Sequence, residues 1–102
     1  MTHTPGSIRI DIEGKFGIYS AAELRQRLLD ALDAAEAVEV DLFRVYEIDS
    51  AGVQLMLAAR REAVARGKAL RFANFSPVVR ETIAFCDLSG LLGDSDLDRG
   101  AP

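Results

Sequence analysis

The sequence predicts an α/β domain built on a mixed β-sheet, in the order β-β-α-β-α-β-α, with its helices packed mainly on one face. Three observations predict it. Segments with a strict period of two alternate along the chain with segments whose apolar residues recur at helical spacing. Strand-helix-strand succession favours parallel, right-handed crossovers. The strands alternate apolar residues with charge, as one wet face requires, and do not read as the continuous apolar runs of a sheet covered on both sides.

Taken in order, Ile8, Ile10 and Ile12 occupy one side of a first strand and Arg9, Asp11 and Glu13 the other. Gly14 allows a turn, and Phe16 to Tyr19 reads as a second short strand, giving a hairpin. Ser20-Ala-Ala-Glu23 has capping-box spacing, in which each side chain satisfies the other residue's free N–H. The helix it opens carries Leu24, Leu28, Leu29 and Leu32 on one stripe and Arg25, Gln26, Arg27, Asp30 and Asp33 on the other. A third strand turns Val38, Val40 and Leu42 inward and Glu39 and Asp41 outward. After a loop from Phe43 to Asp49, a helix from Ser50 to Ala65 has Val53, Met56, Leu57 and Val64 on its apolar side. It ends at Gly67, a residue tolerant of positive φ. Leu70 and Phe72 mark a fourth strand. Ser76-Pro77 supplies an N-cap and N1 pair for a last helix through Val79, Ile83 and Cys86, and Leu88, Leu91 and Leu92 close the core. Residues 7–92 therefore form a single domain between a polar start, 1–6, and a polar tail, 93–102, both predicted to fray.

Composition excludes several function classes. A chain of 102 residues with about half its side chains apolar supports one core. Its net charge of -4, with both signs interspersed, offers no basic stripe for nucleic acid. No apolar stretch reaches the roughly 18 residues a membrane span needs, and the start lacks a basic segment followed by an apolar run, so the expected location is the cytoplasm. The only histidine, His3, lies in the polar start, which leaves a serine nucleophile without a base. Gly14 and Gly17 do not make a phosphate loop. Asp94, Asp96 and Asp98 resemble a calcium loop only until Arg99 takes the glycine position. One histidine and one cysteine cannot build a zinc site. No cofactor motif remains, and an enzyme is not expected. Cys86 lies in an apolar segment, where a thiol behaves as a small hydrophobe. Tyr19 and Tyr46 read as half-buried aromatics and Met56 as core filler.

What stands out is Val45-Tyr46-Glu47-Ile48-Asp49-Ser50-Ala51-Gly52-Val53, a loop entering a helix with a hydroxyl at or beside the N-cap. Asp and Ser are favoured caps, so the pair has a purely structural reading. Against it, Gly52 costs a helix about 1 kcal/mol relative to alanine, which points to a need for close approach. Ile48 and Val53 flank the polar pair with apolar character, as a docking patch requires. A phosphate on Ser50 would meet the positive end of the helix and its free N–H groups.

Val38-Glu-Val-Asp-Leu42, Ile48-Asp49-Ser50-Ala51-Gly52, Leu55 to Gly67, Leu70-Arg-Phe-Ala-Asn74 and Ser76-Pro77-Val-Val-Arg80 together resemble the STAS domain of anti-sigma factor antagonists. The resemblance spans residues 7–92. It implies a sheet with helices mainly on one side, and it makes Ser50 the acceptor for a partner kinase of the histidine-kinase ATPase fold, reversed by a PP2C-type phosphatase. The unmodified domain would capture an anti-sigma factor and the phosphorylated one release it. The implied capture surface comprises Ile18, Tyr19 and Ser20, Ile48 and Asp49, Ala51 to Val53 around the acceptor, and Asn74 with Phe75. Other members serve as fixed accessory subunits of lipid-transport ABC complexes or accompany chemotaxis clusters. The sequence departs from the common pattern at Ala51 and Gly17, where many members carry hydroxyl residues.

Overall fold

The computed structural model describes residues 6–88, 90 and 92. His3, Leu91 and the acidic tail lie outside them. Six elements follow one another: β1 (Ser7–Phe16), α1 (Ala21–Ala34), β2 (Ala37–Ile48), α2 (Ser50–Ala65), β3 (Ala69–Ala73) and α3 (Pro77–Phe85). Among the described residues the sheet has three strands in the order β1-β2-β3, and both pairings are parallel. Because each strand joins the next on the same side and right-handed crossovers are strongly favoured, α1 and α2 fall on one face, where they pack against each other.

The α/β class and the one-sided helix layer agree with the sequence, but among the described residues the opening hairpin is absent and the sheet is parallel, not mixed. Phe16 is the last residue of β1, and Gly17 to Ser20 form a turn into α1. The predicted second strand is thus the end of the first strand and a turn. The expected loop from Phe43 to Asp49 is also strand as far as Ile48. Its sequence hides this because β2 carries two irregularities opposite β1. Ser7 to Asp11 pair with Ala37 to Asp41, then Glu13 with Arg44, and finally Lys15 with Glu47. Each shift inserts one residue, so the inward positions become Leu42, Val45 and the partly buried Ile48, three apart instead of two.

Val38, Val40, Leu42, Met56, Phe72, Val79, Ile83 and Leu92 are buried at the centre of the core. α2 meets this core through Val53, Leu55, Met56, Ala59 and Ala63. Val64, expected on the apolar side, is 70% exposed instead, because the stripe follows the small residues Ala59 and Ala63. The helix ends as predicted: Gly67 has φ +68, the Lys68 N–H donates to the Ala63 carbonyl at 2.9 Å, and the Gly67 N–H donates to Val64 at 3.0 Å. Ser76 caps α3 by accepting the Val79 N–H. Cys86 stands at that helix's C-cap and is exposed, so it does not pack as a hydrophobe.

The outer face of the sheet is polar but not wholly wet. Asp11 and Asp41 face each other across β1 and β2, and Arg9 bridges them, with Nε 3.1 Å from Asp11 and Nη2 2.8 Å from Asp41. Asp41 is only 4% exposed. Burial pushes its carboxyl pKa up, yet hydrogen bonds from Asn74 and the Phe43 N–H, with the charges of Arg9 and Arg44, outweigh this and hold it below its usual value. Glu39 pairs with Arg71 at 2.7 Å.

Phe72→Ala should cost about 3–5 kcal/mol of unfolding free energy by urea denaturation, the range for truncating a buried phenylalanine. Val64→Ala should stay within about 0.5 kcal/mol, as a surface change does.

Candidate functional site

The end of β1 and the start of α2 converge on Asp49. Its Oδ1 accepts the N–H groups of Ala51 at 2.9 Å and Gly52 at 3.1 Å, which makes it the N-cap of α2. Oδ2 accepts the Ile18 N–H at 3.1 Å, from the turn after β1. One carboxylate thus joins two stretches of backbone 31 residues apart. These hydrogen bonds, led by the one from Ile18, outweigh desolvation and hold its pKa below the usual 3.8.

Two glycines make room for this junction. A Cβ on Gly52 would lie 2.4 Å from the Phe16 carbonyl oxygen, so the first turn of α2 sits directly on the last residue of β1. A Cβ on Gly17 would fall within 2.6 Å of the Asp49 carboxylate. The Phe16 carbonyl also accepts the Asp49 N–H, at 3.3 Å.

Ser20 does not form the predicted capping box. Its backbone stands at the N-cap of α1, but its hydroxyl turns back into the preceding turn, accepting the Gly17 N–H at 3.2 Å and donating to the Lys15 carbonyl at 3.1 Å. The hydroxyl braces the turn that carries Ile18 and Tyr19, which are 67% and 101% exposed. A shallow cleft of about 190 Å³ runs beside them, lined also by Lys15, Glu47 and Asp49.

Ser50 is the first residue of α2 and is exposed. The structure therefore groups Ile18, Tyr19, Ser20, Asp49, Ser50 and the half-buried Ala51 on one surface. It withdraws four residues that the sequence had placed in the patch. Gly52 is buried against β1, and the close approach it serves is made to the chain's own backbone. Val53 and Phe75 are each 6% exposed and belong to the core, and Ile48 packs partly against it. Asn74, at φ +53 after β3, is exposed but spends its side-chain amide on Asp41. The free N–H groups expected beside Ser50 are changed too, since Asp49 holds those of Ala51 and Gly52. Tyr19 and Tyr46 are exposed where half-buried positions were expected. Lys15 and the Phe16 carbonyl escaped the sequence reading, having no local motif. The one sign of the Phe16 contact was the helix-interior glycine that meets it.

Asp49→Asn should keep the α2 cap, because an amide oxygen can still accept, but it sets an NH2 against the Ile18 N–H. Hydrogen exchange at Ile18 should rise about tenfold, with Ala51 and Gly52 little changed. Because the folded pKa is lowered, the stability this carboxylate confers is whole at neutral pH and is lost as pH falls below 3.8 through the folded value. The stability difference between wild type and Asp49→Asn, measured by urea denaturation from pH 7 to 2, should shrink in acid. Gly52→Ala should cost about 1–3 kcal/mol, the range for overpacking.

Solved structures share this fold. The unphosphorylated anti-sigma factor antagonist SpoIIAA aligns at TM-score 0.73 with 24% identity, covering 97% of this chain and 90% of that one. The phosphorylated form of the Bacillus cell fate determinant SpoIIAA aligns at 0.68 with 23% identity, covering 97% and 95%. A sulfate transporter family protein from Wolinella succinogenes aligns at 0.75 with 20% identity, covering 91% and 77%. No curated protein sequence matches the chain. The sequence model of one family, described as "Mlab, STAS domain", matches residues 1–93, and the chain accordingly belongs to the STAS domain family.

Proposed function

We propose that this STAS domain is a cytoplasmic protein-binding module of the anti-sigma factor antagonist kind, not an enzyme, and that phosphorylation of Ser50 switches it off. The observation that carries the reading is the exposure of Ser50 on the surface that also presents Ile18 and Tyr19, with Asp49 tying the two parts together. An exposed isoleucine and an unburied tyrosine held by a braced turn suit recognition by an apolar partner surface. The partner is an anti-sigma factor that is also a serine kinase of the histidine-kinase ATPase fold, with a PP2C-type phosphatase resetting the state.

Asp49 also shapes the switch. A phosphate on Ser50 finds the N–H groups of Ala51 and Gly52 already occupied by a carboxylate, so its charge of nearly -2 stays at the surface beside Asp49 and Glu47. Repulsion and the cost of desolvating that cluster release the partner, and the fold is left intact. A second reading, a fixed subunit of a transport complex, draws support from the fold shared with the Wolinella transporter family protein and the Vibrio cholerae SulP transporter STAS domain. In that reading Ser50 is only the residue after a helix cap.

Affinity capture from native cytosol with wild-type, Ser50→Ala and Ser50→Asp baits separates them. The switch expects an ATPase of that fold with the first two and at least tenfold less with Ser50→Asp. Equal recovery of transporter subunits by all three would establish the fixed subunit instead. Ile18→Asp should abolish capture by the unmodified domain while leaving the urea midpoint nearly unchanged, because the side chain is exposed.

A further inference from the structure

β1 lies at an edge of the sheet, paired among the described residues with β2 alone. The Ala37 N–H donates to the Gly6 carbonyl, which fixes the parity: even-numbered residues of β1 bond to β2, and Ser7, Arg9, Asp11 and Glu13 direct their N–H and C=O groups outward. Proteins usually blunt such an edge with bulges, charge or cover. Here the irregular pairing is confined to the second half of the strand, after Asp11, where Gly14 also takes φ +82. From Ser7 to Asp11 the strand is regular. Among the described residues, Arg27 reaches the regular part of this edge, its Nη2 3.5 Å from the Asp11 carbonyl and so at the limit of a hydrogen bond, and the Ser20 hydroxyl reaches the Lys15 carbonyl beyond it.

We propose that this edge pairs antiparallel with the same edge of a second copy, about a twofold axis at Ile10, to give a continuous six-stranded sheet. The charges select that register. Centred on Arg9, the two copies would place Arg9 opposite itself. Centred on Asp11, they would oppose two aspartates, and centred on Ile12 they would set Arg9 against Lys15 and Asp11 against Glu13. Centred on Ile10, Arg9 faces Asp11 of the second copy twice, Ser7 faces Glu13, and Ile8 meets Ile12 on the apolar side. Arg9 engages Asp11 and Asp41 of its own chain through Nε and Nη2, which leaves Nη1 for the second copy's Asp11. Such a pairing is isologous and closes on itself, so it stops at a dimer. It is a small interface and belongs among weak, concentration-dependent associations.

Sedimentation equilibrium of the full chain should show a reversible monomer–dimer equilibrium. Asp11→Lys should weaken it about tenfold or more, since two attractive pairs become repulsive, while the fold is retained because the introduced ammonium would face Asp41. In a Cys86→Ser background, the double variant Ser7→Cys/Glu13→Cys should form disulfide-linked dimers on oxidation, and neither single variant should. Hydrogen-bonded antiparallel partners lie about 5.5 Å apart at Cα, within disulfide range. A chain that is monomeric at every concentration overturns the proposal. So does a dimer indifferent to Asp11→Lys that the paired cysteines fail to cross-link.

Discussion

The junction between the end of β1 and the start of α2 is the constraint on which the proposed binding surface depends. A methyl group on Gly52 would strike the Phe16 carbonyl there, and one on Gly17 would strike the Asp49 carboxylate. The helix is seated on the strand by a backbone contact, and the carboxylate that caps it also holds the turn leading to α1. The position of Ser50 relative to Ile18 and Tyr19 is therefore set by main-chain geometry and one short side chain. Short, doubly anchored groups lose little freedom on folding, and that keeps a surface built from a loop and a helix terminus in one arrangement.

Much of this was legible from the residues alone. Alternation identified β1 and the first half of β2, helical spacing identified α1, and the Ser76-Pro77 and Gly67 signals placed helix ends within a residue or two. The second half of β2 was not legible, because its bulges replace the period of two by a spacing of three that reads as loop. The hairpin was an error of the same kind: Phe16 to Tyr19 has strand-forming side chains, but the backbone there follows the needs of Asp49 and Ser20.

The site was half legible. Asp49-Ser50 announced a helix start, and Gly52 announced a tight contact. Which surface Gly52 meets depends on a partner from the other end of the fold, and no local pattern carries that. Val53 and Phe75 show the complementary limit, since an apolar residue beside a polar motif reads equally as patch or as core until the helix is docked. Ser20 has the right neighbours for a capping box, but its hydroxyl bonds instead to the turn that precedes it.

The two extra residues of β2 work as a phase adjustment between neighbouring strands. β1 uses ten residues and β2 twelve to cover the same ladder, so Phe16 and Ile48 finish side by side although the strands began in step at Ser7 and Ala37. A strand alternates sides with every residue, but each insertion is taken up as a bulge, so Val45 still points inward beside Gly14 after the first and Ile48 lies beside Phe16 after the second. Each bulge thus behaves as a local reset, adding chain length between Asp41 and Asp49 while leaving the side from which α2 departs unchanged. Variation in length among related chains in this segment is accordingly expected to come one residue at a time, each change taken up by a bulge of its own.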